Sequence, residues 1–341
     1  MKTQRGVGFL EICTVDEPRP GPAEVKIEVA ACGICGSDIH VRHDTFPYWP
    51  PVILGHEFAG TVVELGPDCR HARLGDRVVA EPHTKACGQC ALCRTGNVQI
   101  CPDKRSPGWG IHGGMPQYIC SPERLLPRIP ADMTWQQAVV VEPTANAVTD
   151  LLIRTRVNAG DVVVVQGPGP IGLLAALVAR AAGAATVAIL GTPGDVPLRF
   201  KVARELGLTD LIDIGATDPV EAIQELTDGR GADIVVECSG APNAIPITCD
   251  LVRKMGKICV IGLTGNRDVV LPWDKFAFKV VDVLFNLSTV YAAWDRTIRL
   301  IHSGQVPAER LITHWAPLRD WAAVFDDIEN LRAIKGVLVP D

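Results

Sequence analysis

No stretch of about 18 uninterrupted apolar residues occurs in this 341-residue chain, so no membrane-spanning helix is expected. Runs of Lys or Arg are missing too. With 33 basic and 39 acidic residues the formal net charge is −6, which gives nucleic acid or an anionic membrane no electrostatic footing. Residues 1–6 (MKTQRG) lack the apolar core of a secretory signal, and a cytoplasmic protein is the expectation. There is no internal repeat and no low-complexity segment, which argues against a solenoid or a long disordered linker.

What is present is an ordinary globular balance, 47% hydrophobic and 21% charged, in a chain too long for one core of usual size. Two domains are therefore expected. Twelve cysteines in a chain read as cytoplasmic are reduced thiols or metal ligands, not a disulfide framework.

The chain has two halves with different patterning. Up to about residue 130, short strand-like runs alternate with Gly and Pro. Residues 24–31 (EVKIEVAA) alternate polar and apolar, and residues 59–65 and 77–80 are similar, with turn signals at Gly66-Pro67-Asp68 and Leu74-Gly75-Asp76. This half reads as a β-rich, barrel-like unit. Near residue 146 the pattern changes. Residues 161–166 (DVVVVQ) are a β-branched run of the kind buried on both faces of a parallel sheet, followed by a Gly-rich turn and an Ala-rich helix over 171–182. Further strands are expected at 186–190, 234–237 and 257–261, and helices at 198–206 and 220–226. That alternation predicts a doubly wound α/β sheet.

Cys87, Cys90, Cys93 and Cys101 form C-x2-C-x2-C-x7-C. Four thiolates close together in a loop complete a tetrahedral Zn²⁺ shell with no open position, which suits a structural ion. An iron–sulfur cluster is the rival, because ferredoxin-type runs share the C-x2-C-x2-C spacing. Structural zinc is the reading adopted. A second set, Cys35, His56, Glu57 and Glu142, is scattered along the chain. One thiolate, one imidazole and carboxylates suit zinc with a position left for water or substrate. Spacing alone does not connect these residues, and each also has an ordinary structural role.

The G-x-G-x-x-G at Gly167, Gly169 and Gly172, with Pro170 and Ile171, follows a predicted strand and opens a predicted helix. That is the context in which the pattern means dinucleotide binding: the glycines admit the pyrophosphate to the helix N-terminus.

Taken in order, Cys35-Gly36-Ser37-Asp38-Ile39-His40, Gly55-His56-Glu57, Gly75-Asp76-Arg77-Val78, the four-cysteine lobe, Glu142-Pro143 and the Gly-rich turn resemble the zinc-containing medium-chain dehydrogenases. Glu142-Pro143 resembles their sorbitol, threonine, glucose and butanediol branch. The resemblance implies a GroES-like β-barrel catalytic domain (1–145), an inserted Rossmann doubly wound parallel-sheet domain (146–285) and a return to the catalytic domain (286–341). It further implies a catalytic zinc on Cys35, His56 and either Glu57 or Glu142, beside the structural zinc. A proton relay through Ser37 and His40 is implied as well, with hydride passing between a secondary alcohol, most naturally a polyol, cyclitol or vicinal diol, and NAD or NADP. The alternatives are threonine 3-dehydrogenase-like oxidation of an amino alcohol and a zinc-independent carbonyl or enone reductase. A small alcohol or ketone is the expected partner, and a homodimer or homotetramer the expected assembly.

Two departures from the pattern stand out. Gly191 lies where an acidic residue is expected to meet the ribose. Thr192 and Arg199 then become candidates for a 2′-phosphate, and Asp195 for the ribose hydroxyls, so NAD and NADP both stay open. The stretch Phe285-Asn286-Leu287-Ser288 stands where sorbitol dehydrogenases carry an Arg-Tyr pair after a Phe, and both residues of that pair are replaced; Asn286 and Ser288 either hydrogen-bond a hydroxylated substrate or sit at a subunit or domain contact. His43 and His83 are read as surface residues, and Trp49, Trp109 and Trp273 as packing more than cleft lining.

Overall fold

The computed structural model describes residues 1–265 and 267–341. Its strands, in chain order, are β1 (Glu24–Gly33), β2 (Glu57–Leu65), β3 (Arg77–Val79), β4 (Tyr118–Pro122), β5 (Val162–Gln166), β6 (Thr186–Gly191), β7 (Asp210–Asp213), β8 (Ala232–Glu237), β9 (Val252–Val260), β10 (Asp282–Phe285), β11 (Ile312–Pro317) and β12 (Lys335–Val339). They divide between two compact units. The first comprises Met1–Ala145, Ser288–Ser303 and Ile312–Asp341; the second comprises Asn146–Leu287 and Gly304–Leu311.

In the first unit the sheet runs β11-β12-β1-β2-β3, with β4 also paired to β1. Among the described residues of this sheet β11 and β12 pair in parallel and the other strand pairs are antiparallel. The alternation in β1 buries Val25, Ile27, Val29 and Ala31, and the three larger side chains pack with Val62, Val78, Ile119 and Leu338. β12 reaches β1 from about 300 residues downstream and pairs Cys32 with Leu338 and Gly33 with Val337. That pairing fastens the C-terminal strand beside the residues leading to Cys35.

The second unit is a six-stranded, all-parallel sheet in the order β10-β9-β8-β5-β6-β7. Reversal of strand order beside β5 is the switch point at which open α/β sheets take ligands. β5 has no exposed residue, as its Val run predicts. Two strands escape the sequence pattern. β7 is only four residues long, and β10 is an edge strand without a two-sided apolar run. Within the stretch 286–341, expected to return whole to the first unit, Gly304–Leu311 clusters with the second.

Candidate active site and its relatives

β1 ends at Gly33, and Cys35 then stands at the N-terminus of the helix Gly36–Arg42. His56 and Glu57 open β2, which is paired to β1 at Gly33↔Glu57. The hairpin-like register thus brings two distant sequence motifs together. One donor atom each from Cys35, His56 and Glu57 lies within 4.8 Å of the others. Glu142 falls outside that group. It lies in the first turn of the helix Val141–Val148, 7% exposed, and its charge still acts on His56.

Two buried groups that the sequence reading did not assign complete the surroundings. Asp38 is 1% exposed and accepts the Cys35 backbone N–H (2.9 Å). Burial raises its pKa, against the pull of His56. Lys335, on β12, is ion-paired with Glu57 and donates to the Ile34 carbonyl (2.9 Å). Burial works against its charge, but Glu57 and Cys35 outweigh burial and raise its pKa. Gly33 makes room for this pair, since a Cβ there would run into the Glu57 carboxylate. The Asp38 signal was within reach, as the fourth residue of Cys35-Gly36-Ser37-Asp38. Lys335 had none, being 278 residues from Glu57.

Burial also disfavours a charged His56, yet the Cys35 thiolate, its hydrogen bond, Asp38 and Glu142 push the imidazole up to about 10. So strong a demand for positive charge, in a pocket with a soft sulfur and a buried His56 Nδ1 that has no hydrogen-bond partner, fits a divalent zinc ion. Ser37 and His40 lie one turn apart on the adjoining helix. The buried Ser37 Oγ has no hydrogen-bond partner, and His40 Nδ1 meets the Thr45 hydroxyl at 3.0 Å. Burial, then His43, lowers the His40 pKa and keeps its ring neutral near pH 7. A separate apolar cleft of about 540 Å³, lined by Met1, Leu10, Ile12, Met115 and Trp321 among others, holds none of these donors and is not where we place the chemistry.

The four-cysteine lobe closes as its spacing predicts. All four sulfurs lie within 4.8 Å of one another, with Cys87–Cys101 at 3.6 Å and Cys87–Cys93 at 4.0 Å. Zn–S bonds of about 2.3 Å in a tetrahedron give sulfur–sulfur edges of about 3.8 Å, so the thiols already bracket a zinc shell. That space takes one ion and not a four-iron core. Backbone N–H groups of Gln89 and Cys90 lower the Cys87 thiol to about 7, readying a thiolate.

In the second unit, Gly167 leaves β5 with φ +94°, and Gly169 caps the helix Pro170–Ala181. A Cβ on Gly172 would strike the Gly167 carbonyl, whereas Gly169 faces open space beside the helix N-terminus. Together they form the cradle a pyrophosphate needs. At Gly191 a side chain would meet the Phe200 ring at 2.7 Å, which accounts for the missing acid. Thr192 and Arg199 are both engaged by Asp195: its carboxylate accepts from Thr192 N (2.8 Å), Thr192 Oγ1 (2.7 Å) and Arg199 (2.7 Å).

Three sequence expectations change. His83 is not a surface residue; it is 1% exposed and donates to the Thr289 carbonyl (3.0 Å). Trp273 is not packing, at 76% exposed. Asn286 is consumed within its own unit, donating to Cys259 and to the Leu284 carbonyl and accepting from Arg154.

Residues 21–131 match the family model for the alcohol dehydrogenase GroES-like domain, and residues 170–303 match the zinc-binding dehydrogenase model. A sorbitol dehydrogenase of Halalkalibacterium halodurans is 38% identical over 340 residues, covering 100% of this chain and 98% of its own. This chain belongs to the zinc-binding dehydrogenases. A D-arabitol-phosphate dehydrogenase of Enterococcus avium is 31% identical, covering 98% of the dehydrogenase described here and 97% of its own length. Among solved structures, a zinc-binding dehydrogenase from Sinorhizobium meliloti 1021 bound to NADP superposes with a TM-score of 0.88 at 31% identity. It covers 96% of this chain and 94% of its own.

Proposed function

We propose that this dehydrogenase oxidises a secondary alcohol of the polyol, cyclitol or vicinal-diol kind, and reduces the matching ketone, with zinc and NAD(P). The observation that carries the reading is the convergence of Cys35, His56 and Glu57 beside buried Asp38 and Lys335. In this reading the unit containing residues 1–145 is the catalytic domain and the one containing 146–285 binds the dinucleotide.

Bound zinc supplies a Lewis acid that makes a substrate hydroxyl easier to deprotonate. The chain supplies the rest. Cys35 and His56 hold the metal with a carboxylate from Glu57 or Glu142, and Asp38 fixes the loop that carries Cys35. Lys335 occupies one oxygen of Glu57 in a buried ion pair. Ser37 Oγ receives the hydroxyl proton, and neutral His40, one turn on, accepts it at pH 7. Cys87, Cys90, Cys93 and Cys101 hold the structural zinc. Gly167, Gly169, Pro170, Ile171 and Gly172 seat the pyrophosphate. Because Asp195 already neutralises Arg199 while keeping an oxygen lone pair spare, the reading favours NAD over NADP.

Thiolate ligands in two separate sets need a reducing compartment, and we keep the cytoplasm as its place. For the assembly we favour a homodimer across the free edge of β10. Phe285 on that strand is 71% exposed and Phe278 beside it 81%.

The test is reduction of NAD⁺ and NADP⁺ at 340 nm by zinc-loaded protein against alditols, inositols, vicinal diols and threonine. Cys35→Ser is expected to abolish turnover and remove one of two zinc ions while cofactor binding is retained. Turnover of threonine alone favours the amino-alcohol alternative. Wild-type rates in Cys35→Ser, or activity only on enones with NADPH, overturn the zinc mechanism.

A further inference from the structure

Beside the metal donors stands a wall of two indoles with a cation over each. Trp49 stacks on Trp109 with centroids 6.4 Å apart, and Phe46 meets Trp109 edge-on at 5.3 Å. Arg105 lies 4.0 Å from the Trp49 ring centre and Lys104 Nζ lies 6.0 Å from that of Trp109. The loop bearing these residues packs directly against the metal-binding segment. A Cβ on Gly108 would sit 3.0 Å from the backbone nitrogen of Gly55, the residue before His56. Phe46 follows Thr45, whose hydroxyl meets His40. Glu142 is the foremost anion acting on Lys104.

Among the described residues, no Asp or Glu oxygen lies within ion-pair distance of Lys104 or Arg105. Lys104 Nζ donates to the Gln99 carbonyl (3.1 Å) and to Ser288 Oγ (3.2 Å), leaving a third N–H to give. Arg105 donates one guanidinium N–H to the Lys104 carbonyl (2.9 Å). A protein keeps two half-buried, unpaired cations at an aromatic wall at a cost, which an incoming anion removes.

We propose that the substrate is an anionic polyol, a hydroxylated chain ending in a carboxylate or a phosphate, whose charged end binds Lys104 and Arg105. Its carbon backbone lies along Trp49 and Trp109, because the C–H faces of a sugar chain suit an indole surface while its hydroxyls stay free to hydrogen-bond. The chemistry is the one already proposed: the carbinol C–H bond breaks with its electron pair passing to the nicotinamide, the hydroxyl proton leaves, and a C=O forms. The anionic group is unchanged throughout. Ser288, at a position where a sorbitol-type pair is absent, orients Lys104 instead of meeting substrate.

This inference rests on the dehydrogenase reading, and the experiment separates the two. Holoenzyme is assayed with glucitol and arabitol, with gluconate and arabinonate, and with glucitol 6-phosphate and arabitol 5-phosphate. Quenching of tryptophan fluorescence by the same compounds reads binding independently of turnover. One anionic series is expected to exceed the neutral parents by about tenfold or more in kcat/KM, chiefly through KM, with the advantage shrinking as salt is raised. Whichever series leads identifies the charged group as carboxylate or phosphate. Lys104→Met and Arg105→Gln are each expected to lower that preference ratio by about tenfold. A Lys104 that only braces Gln99 and Ser288 lowers neutral and anionic substrates alike, and that result overturns the proposal, as does a preference for neutral alditols. Anion-specific quenching without any turnover upholds the anion site and sinks the dehydrogenase reading; loss of both sinks the anion site.

Discussion

The proposed preference for NAD over NADP turns on one side chain, Asp195. It lies four residues beyond Gly191, yet its carboxylate returns to the end of β6 through Thr192 and holds Arg199 as an i,i+4 ion pair. Under the proposed preference for NAD, a 2′-phosphate arriving there meets a carboxylate that repels it and a guanidinium whose Nη1 is already given to Asp195, although its buried Nε has no partner. Replacing Asp195 by Ala frees Arg199 and removes the repulsion. The ratio of kcat/KM for NADP⁺ over NAD⁺ is then expected to rise by about tenfold, the value of roughly one charge-assisted contact. An unchanged or falling ratio in that variant would place cofactor choice elsewhere.

At the scale of elements, the end of β3 is joined to the helix Tyr291–His302 through buried polar groups. His83 donates to the Thr289 carbonyl, and Trp294 Nε1 donates to the Thr289 hydroxyl (3.2 Å). Burial, then the field of Lys104, holds His83 down to about 3, whereas an unfolded histidine titrates near 6.5. Between those values the unfolded chain binds a proton that the folded chain refuses, so this contribution to stability is lost as pH falls from about 6.5 toward 3. Nearby Glu81 has the opposite sign. Burial raises it from 4.5 to about 7, so over that range it makes the fold weaker as pH rises. The two partly cancel in the native protein. With His83→Gln the Glu81 effect is no longer opposed by His83, and the urea midpoint is expected to climb on acidification from pH 7 to pH 5, measured against the wild-type slope. A midpoint that falls as steeply as in wild type would show that His83 does not control acid sensitivity.

Elements also differ in how openly the sequence announces them. β5 and the helix after it were legible because a Val run, a glycine turn and an Ala-rich stretch are local signals. The cysteine lobe was legible for the same reason, since its four ligands fall within 15 residues. β7 and β10 were not, because a short strand and an edge strand carry little periodicity. His83 was misread because a histidine between Pro82 and Thr84 looks like a loop residue until Thr289 and Trp294 arrive from 200 residues away to bury it.

For the whole molecule, the free edge of β10 is the feature most exposed to error in solution. An unprotected strand edge flanked by Phe278, Phe285 and Leu287, all largely exposed, invites pairing with another copy. Phe285→Asp puts a charge into that contact. It is expected to shift the protein toward monomer in sedimentation velocity, with far-UV circular dichroism unchanged; an unaltered oligomer would rule this edge out.

Several properties of the protein follow from its sequence without any coordinates: the two kinds of patterning, the zinc lobe, the dinucleotide turn and the membership that Cys35, His56 and Glu142 suggest. All of these rest on residues close in sequence or on the motif order, where spacing alone constrains geometry. Other properties exist only once the chain has folded back on itself. The pairing of β12 with β1 delivers Lys335 to Glu57, the loop after the lobe sets Lys104 and Arg105 over Trp109 and Trp49, and Asp195 closes on Arg199. Buried charges choose partners by proximity in a dry interior, where an unpaired charge is costly, and that proximity is set by packing instead of by order along the chain.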